Sequence, residues 1–246
     1  MIISFFEEYP TALNLQKLRS VSWPTKLYIA AKSVTEFEKI ISTIKNKKVT
    51  ELVYWPILEK NEGYWISPFS ERKALQRIFA ELNGKNISVM LDLELPLTRN
   101  PMLLLTQFFS FYVNRARIRN FIQDYRGKTY LAEYHPQGTR KEQVLQFLGL
   151  HYTNPKAYVI KMMYHSMYHI SEEVVRRDFR QGVQAWGDHF IAGLGTIATG
   201  VLENEPILSE EQLRSDLRLA REAGVKEVVV FRLGGLNELF VKVFSK

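Results

Sequence analysis

Apolar and polar residues alternate most clearly in the stretch Ile87-Ser88-Val89-Met90-Leu91-Asp92-Leu93-Glu94-Leu95, which is followed by Pro96. Successive side chains of a β-strand point to opposite faces. One face of this strand is wholly aliphatic, whereas the other carries Ser88, Met90, Asp92 and Glu94. The pattern predicts a strand of a β/α barrel, with its aliphatic face against the surrounding helices and its other face toward the barrel interior. The two acids would then lie at the carboxyl end of the strand, where barrel enzymes keep their active sites.

The rest of the chain repeats an order of strand followed by helix. We predict strands at 2–6, 27–31, 51–55, 87–95, 129–133, 157–164, 190–195 and 227–233. We predict helices at 13–21, 34–45, 71–82, about 101–125, 141–148, about 172–186 and 210–223. Alternation of this kind predicts a parallel sheet, and eight strands predict that the sheet closes.

No linker rich in Pro, Gly or Ser divides the sequence, so the prediction is a single (β/α)8 TIM-barrel domain over residues 1–246. A doubly wound open sheet is the alternative. Such a sheet usually carries a glycine-rich turn after its first strand, and the segment Glu7-Glu8-Tyr9-Pro10 is not one.

Composition limits the classes of function. The chain has no cysteine, which excludes disulfides, a thiolate metal site and a cysteine nucleophile. Its net charge of +7 is spread over short basic groups beside apolar helix patterns, which predicts solvated helix faces and no nucleic acid partner. The first residues do not resemble a signal peptide, and no apolar run reaches the ~18 residues that would span a bilayer, so we expect a cytoplasmic protein. Many Lys, Arg, Glu, Ile and Tyr residues would suit a thermophile.

Acids and aromatic residues follow several of the predicted strands. Carboxylates protonate leaving groups in glycoside hydrolysis, and aromatic rings stack on the apolar faces of sugars. We therefore predict a carbohydrate-binding surface formed by Glu8, Trp55, Trp65, Glu133, His135 and Arg232. The loop 56–69 would supply a stacking platform or would pack on the barrel rim through its own aromatic side chains. Arg232 would bind a sugar carboxylate or phosphate, or only neutralise neighbouring acids.

The predicted fourth strand ends in Asp92-Leu93-Glu94, and the sixth ends in Met163-Tyr164. This pair of motifs resembles glycoside hydrolase family 18 and its relatives. The resemblance implies that Glu94 is the general acid and that Asp92 assists the 2-acetamido group of the substrate, which acts as the nucleophile. It also implies that Tyr164 contacts that group, and it implies no cofactor. Ser88 and Met90 stand where the longer family motif carries further acids.

Two other classes of function remain open from the residues alone. One is a metal-dependent sugar isomerase or an aldolase-type barrel, in which His135 and His165 join Glu94 and Glu133 around a divalent ion. No His-x-His or His-x-x-x-His spacing supports it, and we predict no metal. The other is a non-catalytic barrel that serves as a binding or assembly module.

The segment 102–113 is apolar around most of its circumference, whereas the outer helix of a barrel needs only one apolar stripe. The surplus face must meet a second copy of the chain, a long loop of the same chain or a membrane surface. Of these we expect a homodimer through the 102–113 helix.

Overall fold

A computed structural model describes residues 1–96, 102–134, 139–167 and 170–245. Within these ranges eight strands form a closed parallel barrel in which each strand neighbours the next along the chain and the last neighbours the first. The strands are β1 (Ile2–Glu7), β2 (Thr25–Ala31), β3 (Val49–Pro56), β4 (Val89–Leu93), β5 (Thr129–Tyr134), β6 (Tyr158–Met162), β7 (Phe190–Thr196) and β8 (Glu227–Phe231). The prediction of a (β/α)8 barrel is confirmed.

Helices alternate with these strands. In the described part of the chain they are α1 (Ala12–Gln16), α2 (Val34–Ile41), α3 (Arg72–Leu82), α4 (Met102–Thr106), α5 (Phe111–Asp124), α6 (Thr139–Phe147), α7 (Glu172–Trp186), α8 (Glu210–Glu222) and α9 (Glu238–Phe244). Ser171 and Ser209 cap α7 and α8, each accepting a hydrogen bond from the backbone N–H three residues on. Such caps satisfy donors at the helix start that have no partner within the helix.

The chain divides into two compact units. Unit one comprises Met1–Ala30, Lys39–Val53 and Tyr158–Lys246, and unit two comprises Ala31–Glu38 and Tyr54–Ala157. A single domain over 1–246 stays a prediction.

At the amino-terminal end of its strands, unit one contains a buried polar network around Glu227. The Ser4 hydroxyl and the Tyr28 hydroxyl donate to Glu227 Oε1 at 2.8 and 3.0 Å. Lys26 Nζ lies 2.6 Å from Glu227 Oε2. A buried carboxylate is stable only when it is paired and hydrogen-bonded, and three partners meet that requirement here. The network ties β1 and β2 to the start of β8.

In unit two, the register of β3 and β4 shows which face of β4 meets the helices and which face meets the barrel interior. Tyr54 is in register with Val89, and the Tyr54 ring lies 5.2 Å from the Phe37 ring on α2. Residues in register point to the same side of a sheet, so Val89 and the alternate residues up to Leu93 face the helices. The intervening residues, including Asp92, therefore face the barrel interior.

The predicted helix 101–125 is wrong as one continuous element. Within the described residues it forms α4, a 3₁₀ turn at Phe108–Ser110 and α5. Beyond the break the Phe111 ring is buried 5.0 Å from the Phe69 ring, whereas Phe109 before it is exposed. The break thus rotates one part of an apolar segment toward the interior.

Two further differences have local causes. The helix predicted over 34–45 ends at Ile41, because the Ser42 and Thr43 hydroxyls donate to the carbonyls of Lys39 and Ile40. Such side-chain bonds compete with the backbone hydrogen bonds that would continue the helix. The helix α9 was not predicted, although Asn237 caps it by accepting from two backbone N–H groups.

None of the helices in the described ranges has the length and apolar character that crossing a bilayer requires.

Candidate active site

Asp92 and Glu94 share the barrel-facing side of β4. Asp92 is buried one residue before the strand ends, and Glu94 is half-buried one residue beyond the end. Alternation along the strand gives both side chains the same direction. The structure therefore brings together the two acids on which the sequence argument depends most.

A tyrosine that the sequence argument missed orients Glu94. The Tyr134 hydroxyl donates a hydrogen bond to Glu94 Oε2 at 2.9 Å. Because Asp92 is in register with Ala132, the residues two positions further along each strand are neighbours on the same face. The sequence places Tyr134 at the end of β5, but only the register of β4 and β5 shows that it lies beside Glu94.

The β3–α3 loop packs against β4. Its Ile66 N–H donates to the Asp92 carbonyl at 3.0 Å. Trp55 and Tyr64 are buried, whereas Trp65 is half-buried and meets the Tyr64 ring edge-on at 5.5 Å. Of these three aromatic side chains, Trp65 has the surface that a sugar could contact.

Glu133 and its partners lie on the other side of the sheet. Glu133 is in register with Leu93, so its side chain points away from the interior-facing side. It is completely buried, lies 2.7 Å from His151 Nδ1 and accepts from the Tyr152 N–H at 3.2 Å. His151 was not predicted as its partner. The predicted neighbour, His135, lies outside the described residues.

In unit one, buried Glu7 and half-buried Arg232 form an ion pair at the carboxyl ends of β1 and β8. Glu7 accepts hydrogen bonds from the Tyr9 and Gly234 backbone N–H groups at 2.8 and 2.7 Å. Asn14 Nδ2 at 3.2 Å and Arg232 Nη1 at 3.1 Å donate as well. Burial raises the pKa of Glu7, and Arg232 with these donors opposes that rise. All four contacts are N–H donors, which fits an ionised carboxylate that Arg232 neutralises.

Glu8 and Tyr164 belong to the same unit. Glu8 is buried, and a Cβ placed on Gly200 would lie 2.5 Å from Glu8 Oε2 and 2.6 Å from the Phe231 ring. The backbone of the β7–α8 loop therefore covers Glu8 closely. Tyr164 is half-buried two residues beyond β6, with its ring 6.5 Å from that of Phe231. Burial, together with the nearby Glu8 carboxylate, raises the pKa of Tyr9 to about 12.

The metal alternative has no cluster to support it in the ranges that the structure describes, which contain no group of three or more His, Cys, Asp or Glu side chains that could hold an ion. His165 Nδ1 lies 2.6 Å from Oδ1 of Asp216 on α8, and its Nε2 lies 3.0 Å from the carbonyl of Ile170, before α7. The hydrogen bond to Asp216 raises the pKa of His165, and burial partly opposes the rise.

The His165–Asp216 pair predicts a pH dependence of stability. The folded state holds the His165 proton more tightly than the unfolded state, so the pair stabilises the fold fully below about pH 6.5, the ordinary histidine pKa. This contribution, of about 1 kcal/mol or less, should be lost as the pH rises through the raised pKa. Urea unfolding between pH 5.5 and 8.5 should show the decline, and Asp216→Asn should flatten it. His189→Gln is the control, and the same slope in Asp216→Asn would contradict the assignment.

Known proteins resemble this chain in fold and not in sequence. No protein-family model matches the sequence, and no curated protein is detectably similar to it. Among solved structures, a proposed alpha-L-fucosidase from Bacteroides thetaiotaomicron superposes with a TM-score of 0.53 at 9% identity, over 94% of this chain and 85% of that chain. A class V chitinase from Nicotiana tobaccum, in complex with NAG4, gives a TM-score of 0.51 at 11% identity, over 99% of this chain and 97% of that chain. At such identities the likeness is one of fold, and the chain shares the barrel of these glycoside hydrolases.

Proposed function

We propose that this barrel acts on a glycan as a glycoside hydrolase, with Glu94 as general acid and Asp92 as the assisting carboxylate. The observation that carries the proposal is the placement of both acids on the inner face of β4, with Tyr134 holding Glu94. A general acid must present its proton in a fixed direction, and a hydrogen bond to one carboxyl oxygen restricts the rotation of the group. The chitinase and the fucosidase support the proposal through their shared fold.

The proposed chemistry follows the resemblance in the Asp92-Leu93-Glu94 motif. Glu94 protonates the glycosidic oxygen, and the bond from the anomeric carbon to that oxygen breaks. The 2-acetamido oxygen of the same sugar attacks the anomeric carbon, while Asp92 orients the acetamido N–H. Glu94, now ionised, then removes a proton from the water that opens the cyclic intermediate. Trp65 would stack on a sugar face, and Tyr164 would contact the acetamido group.

Substrate-binding roles for Glu8, Trp55, Glu133, His135 and Arg232 remain part of the proposal. Trp55 and Glu8 are buried in the structure, so they would act by shaping and charging the site more than by direct stacking. Glu133 points away from the barrel interior, so it would act only by fixing the position of β5.

A panel of oligosaccharides tests the function. The purified protein should cleave a substrate with a 2-acetamido group next to the scissile bond and should not cleave the matched glycan with a 2-hydroxyl. Product analysis by mass spectrometry reads out cleavage, and calorimetry reads out binding. Binding without cleavage by the wild-type chain would indicate a non-catalytic glycan-binding barrel. Cleavage of both glycans at equal rates would contradict substrate assistance.

We also propose that the chain forms a homodimer through the helix predicted over 102–113. An apolar face is exposed there and on α6, formed by Met102, Leu105, Phe108, Phe109, Tyr112, Val113, Val144 and Phe147. Phe109 is 90% exposed and Leu105 is 70% exposed. The Phe147 ring on α6 lies 6.3 Å from the ring of buried Phe111 on α5, so the two helices are in contact. At roughly 150–200 Å² for each full side chain, the exposed parts amount to about 800–1,000 Å², which is enough for the share of one partner in a standard interface.

Light scattering should therefore give twice the monomer mass at micromolar concentration. Replacing Phe109 and Tyr112 by Ser should shift the protein to monomer, because large aromatic side chains carry most of the binding energy of such interfaces. Leu13→Ser is the matched control, since Leu13 is also 70% exposed but lies on α1. A wild-type monomer at these concentrations would exclude the dimer.

A further inference from the structure

A cavity in unit two is lined by none of the residues on the barrel-facing side of β4. It has a volume of about 290 Å³ and lies between α5, the end of α6 and the segment that follows α6. Its polar lining includes Arg115, Arg119, Gln123, Gln146, His151 and Tyr152. We call it the α5–α6 cavity. A water molecule takes about 30 Å³ of liquid volume, so the space exceeds that of a few waters.

Two guanidinium groups dominate the charge of the α5–α6 cavity. Arg115 Nη2 donates to the Gln146 carbonyl at 3.0 Å, which fixes the side chain against α6. Within the described ranges neither Arg115 nor Arg119 forms an ion pair with a carboxylate. A fixed guanidinium with remaining N–H donors is suited to bidentate contact with an oxyanion.

Two buried polar atoms beside this cavity lack a partner among the described residues, namely Arg115 Nε and the Tyr152 hydroxyl oxygen. Both side chains meet over Gly149: a Cβ placed there would lie 2.9 Å from the Tyr152 hydroxyl oxygen and 3.2 Å from Arg115 Cγ. Gly149 has φ +68°, where a residue with a side chain is strained. Buried polar groups are nearly always hydrogen-bonded, so these two donors favour the binding of an acceptor at this place.

Two acids near the α5–α6 cavity contact His151 and not the two arginines. Glu133 is held behind His151, at 2.7 Å from its Nδ1, and Glu142 Oε1 lies 3.5 Å from its Nε2. Both carboxylates are thus directed at the imidazole. Burial raises the pKa of Tyr152, and Arg115 and Arg119 oppose the rise. The hydroxyl therefore stays protonated and available as a donor at neutral pH.

We propose that the α5–α6 cavity binds a small oxyanion, specifically a phosphate group, between the Arg115 and Arg119 guanidinium groups and the Tyr152 hydroxyl. Phosphate offers several acceptor oxygens in a compact tetrahedron. These oxygens can accept from the Tyr152 hydroxyl and from the N–H groups of the two guanidinium groups. This inference does not depend on the proposed function, because none of its residues belongs to the Asp92 and Glu94 site.

Titration calorimetry with inorganic phosphate at constant ionic strength tests the proposal. The wild-type chain should bind one equivalent. Arg119→Gln and Tyr152→Phe should each weaken binding about tenfold or more, since each removes a direct donor. Arg214→Gln is the matched control, because it removes one exposed positive charge from α8. Arg119 is itself exposed, so its variant is expected to fold normally.

A second experiment separates a free phosphate from a lipid headgroup, because the apolar face borders α5 and α6. Vesicles of phosphatidylglycerol and of phosphatidylcholine are each sedimented with the protein, with and without inorganic phosphate. Calorimetric binding without sedimentation supports a small phosphorylated ligand. Sedimentation with phosphatidylglycerol alone, reversed by phosphate and reduced in Arg119→Gln, supports a headgroup. Absence of both forms of binding, or equal losses in Arg119→Gln and Arg214→Gln, would overturn the proposal.

Discussion

Glu94→Gln should lower kcat/KM by about 100-fold or more on any glycan that the wild-type chain hydrolyses. Removal of a general acid typically costs two to four orders of magnitude, because the leaving oxygen must then depart without its proton. The amide preserves the size of the side chain and can still accept from Tyr134, so substrate binding should change little. Initial rates on the cleaved oligosaccharide give kcat, and calorimetry on the same variant gives the dissociation constant.

Glu38→Gln on α2 provides the control for this variant, since it makes the same chemical change at an exposed acid. Its rate should match that of the wild-type chain. Near-normal activity of Glu94→Gln would remove Glu94 from the mechanism as the general acid. An equal loss in both variants would indicate an effect on the fold rather than on catalysis.

Glu7→Ala should lower the free energy of unfolding by about 3–5 kcal/mol, the largest stability change that we expect from a single side chain. Removing one partner of a buried ion pair leaves an uncompensated charge in a low-dielectric surrounding. Here the substitution would remove the carboxylate partner of Arg232 and leave the N–H groups of Tyr9 and Gly234 without their acceptor. Urea unfolding followed by circular dichroism measures the change.

Glu7→Gln distinguishes charge from shape at this position. It keeps one carbonyl acceptor for the backbone donors, so its loss should be smaller than that of Glu7→Ala. Glu238→Ala changes an exposed acid in the first turn of α9 and should cost less than about 1 kcal/mol. If Glu7→Ala lowers the free energy of unfolding by less than about 1 kcal/mol, contacts of the loops and not the carboxylate hold Arg232.

The order of strands and helices could be predicted because period-two and helical patterns are local properties of the chain. The break in the helix around Phe108–Ser110 could not, since it depends on where Phe111 finds a partner ring in a distant loop. Helix α2 shows a milder case. Ser and Thr can continue a helix or end it, and which of the two occurs at Ser42 and Thr43 depends on the hydrogen bonds of their hydroxyls to the preceding turn.

The acids of the candidate site were visible in the sequence, but their partners were not. Asp92 and Glu94 share a face through alternation along one strand, which sequence alone specifies. The contact of Tyr134 with Glu94 arises from the register of two strands, and that of Glu133 with His151 arises from the return of a loop. Contacts that depend on strand register or on the path of a loop can be recognised only in the folded structure.

The bond between Ser4 and Glu227 joins residues that are 223 positions apart in the chain. A ribosome that adds about 5–20 residues per second would take roughly 10–45 s to synthesise that interval. Throughout this time β1 has no partner on the side where β8 later pairs, and an unpaired strand edge attracts other chains. Pairings so distant in sequence also slow folding after release, because a long loop must close before its contacts form. Biosynthesis of this barrel therefore includes a period in which protection of β1 by a chaperone would raise the yield of folded protein.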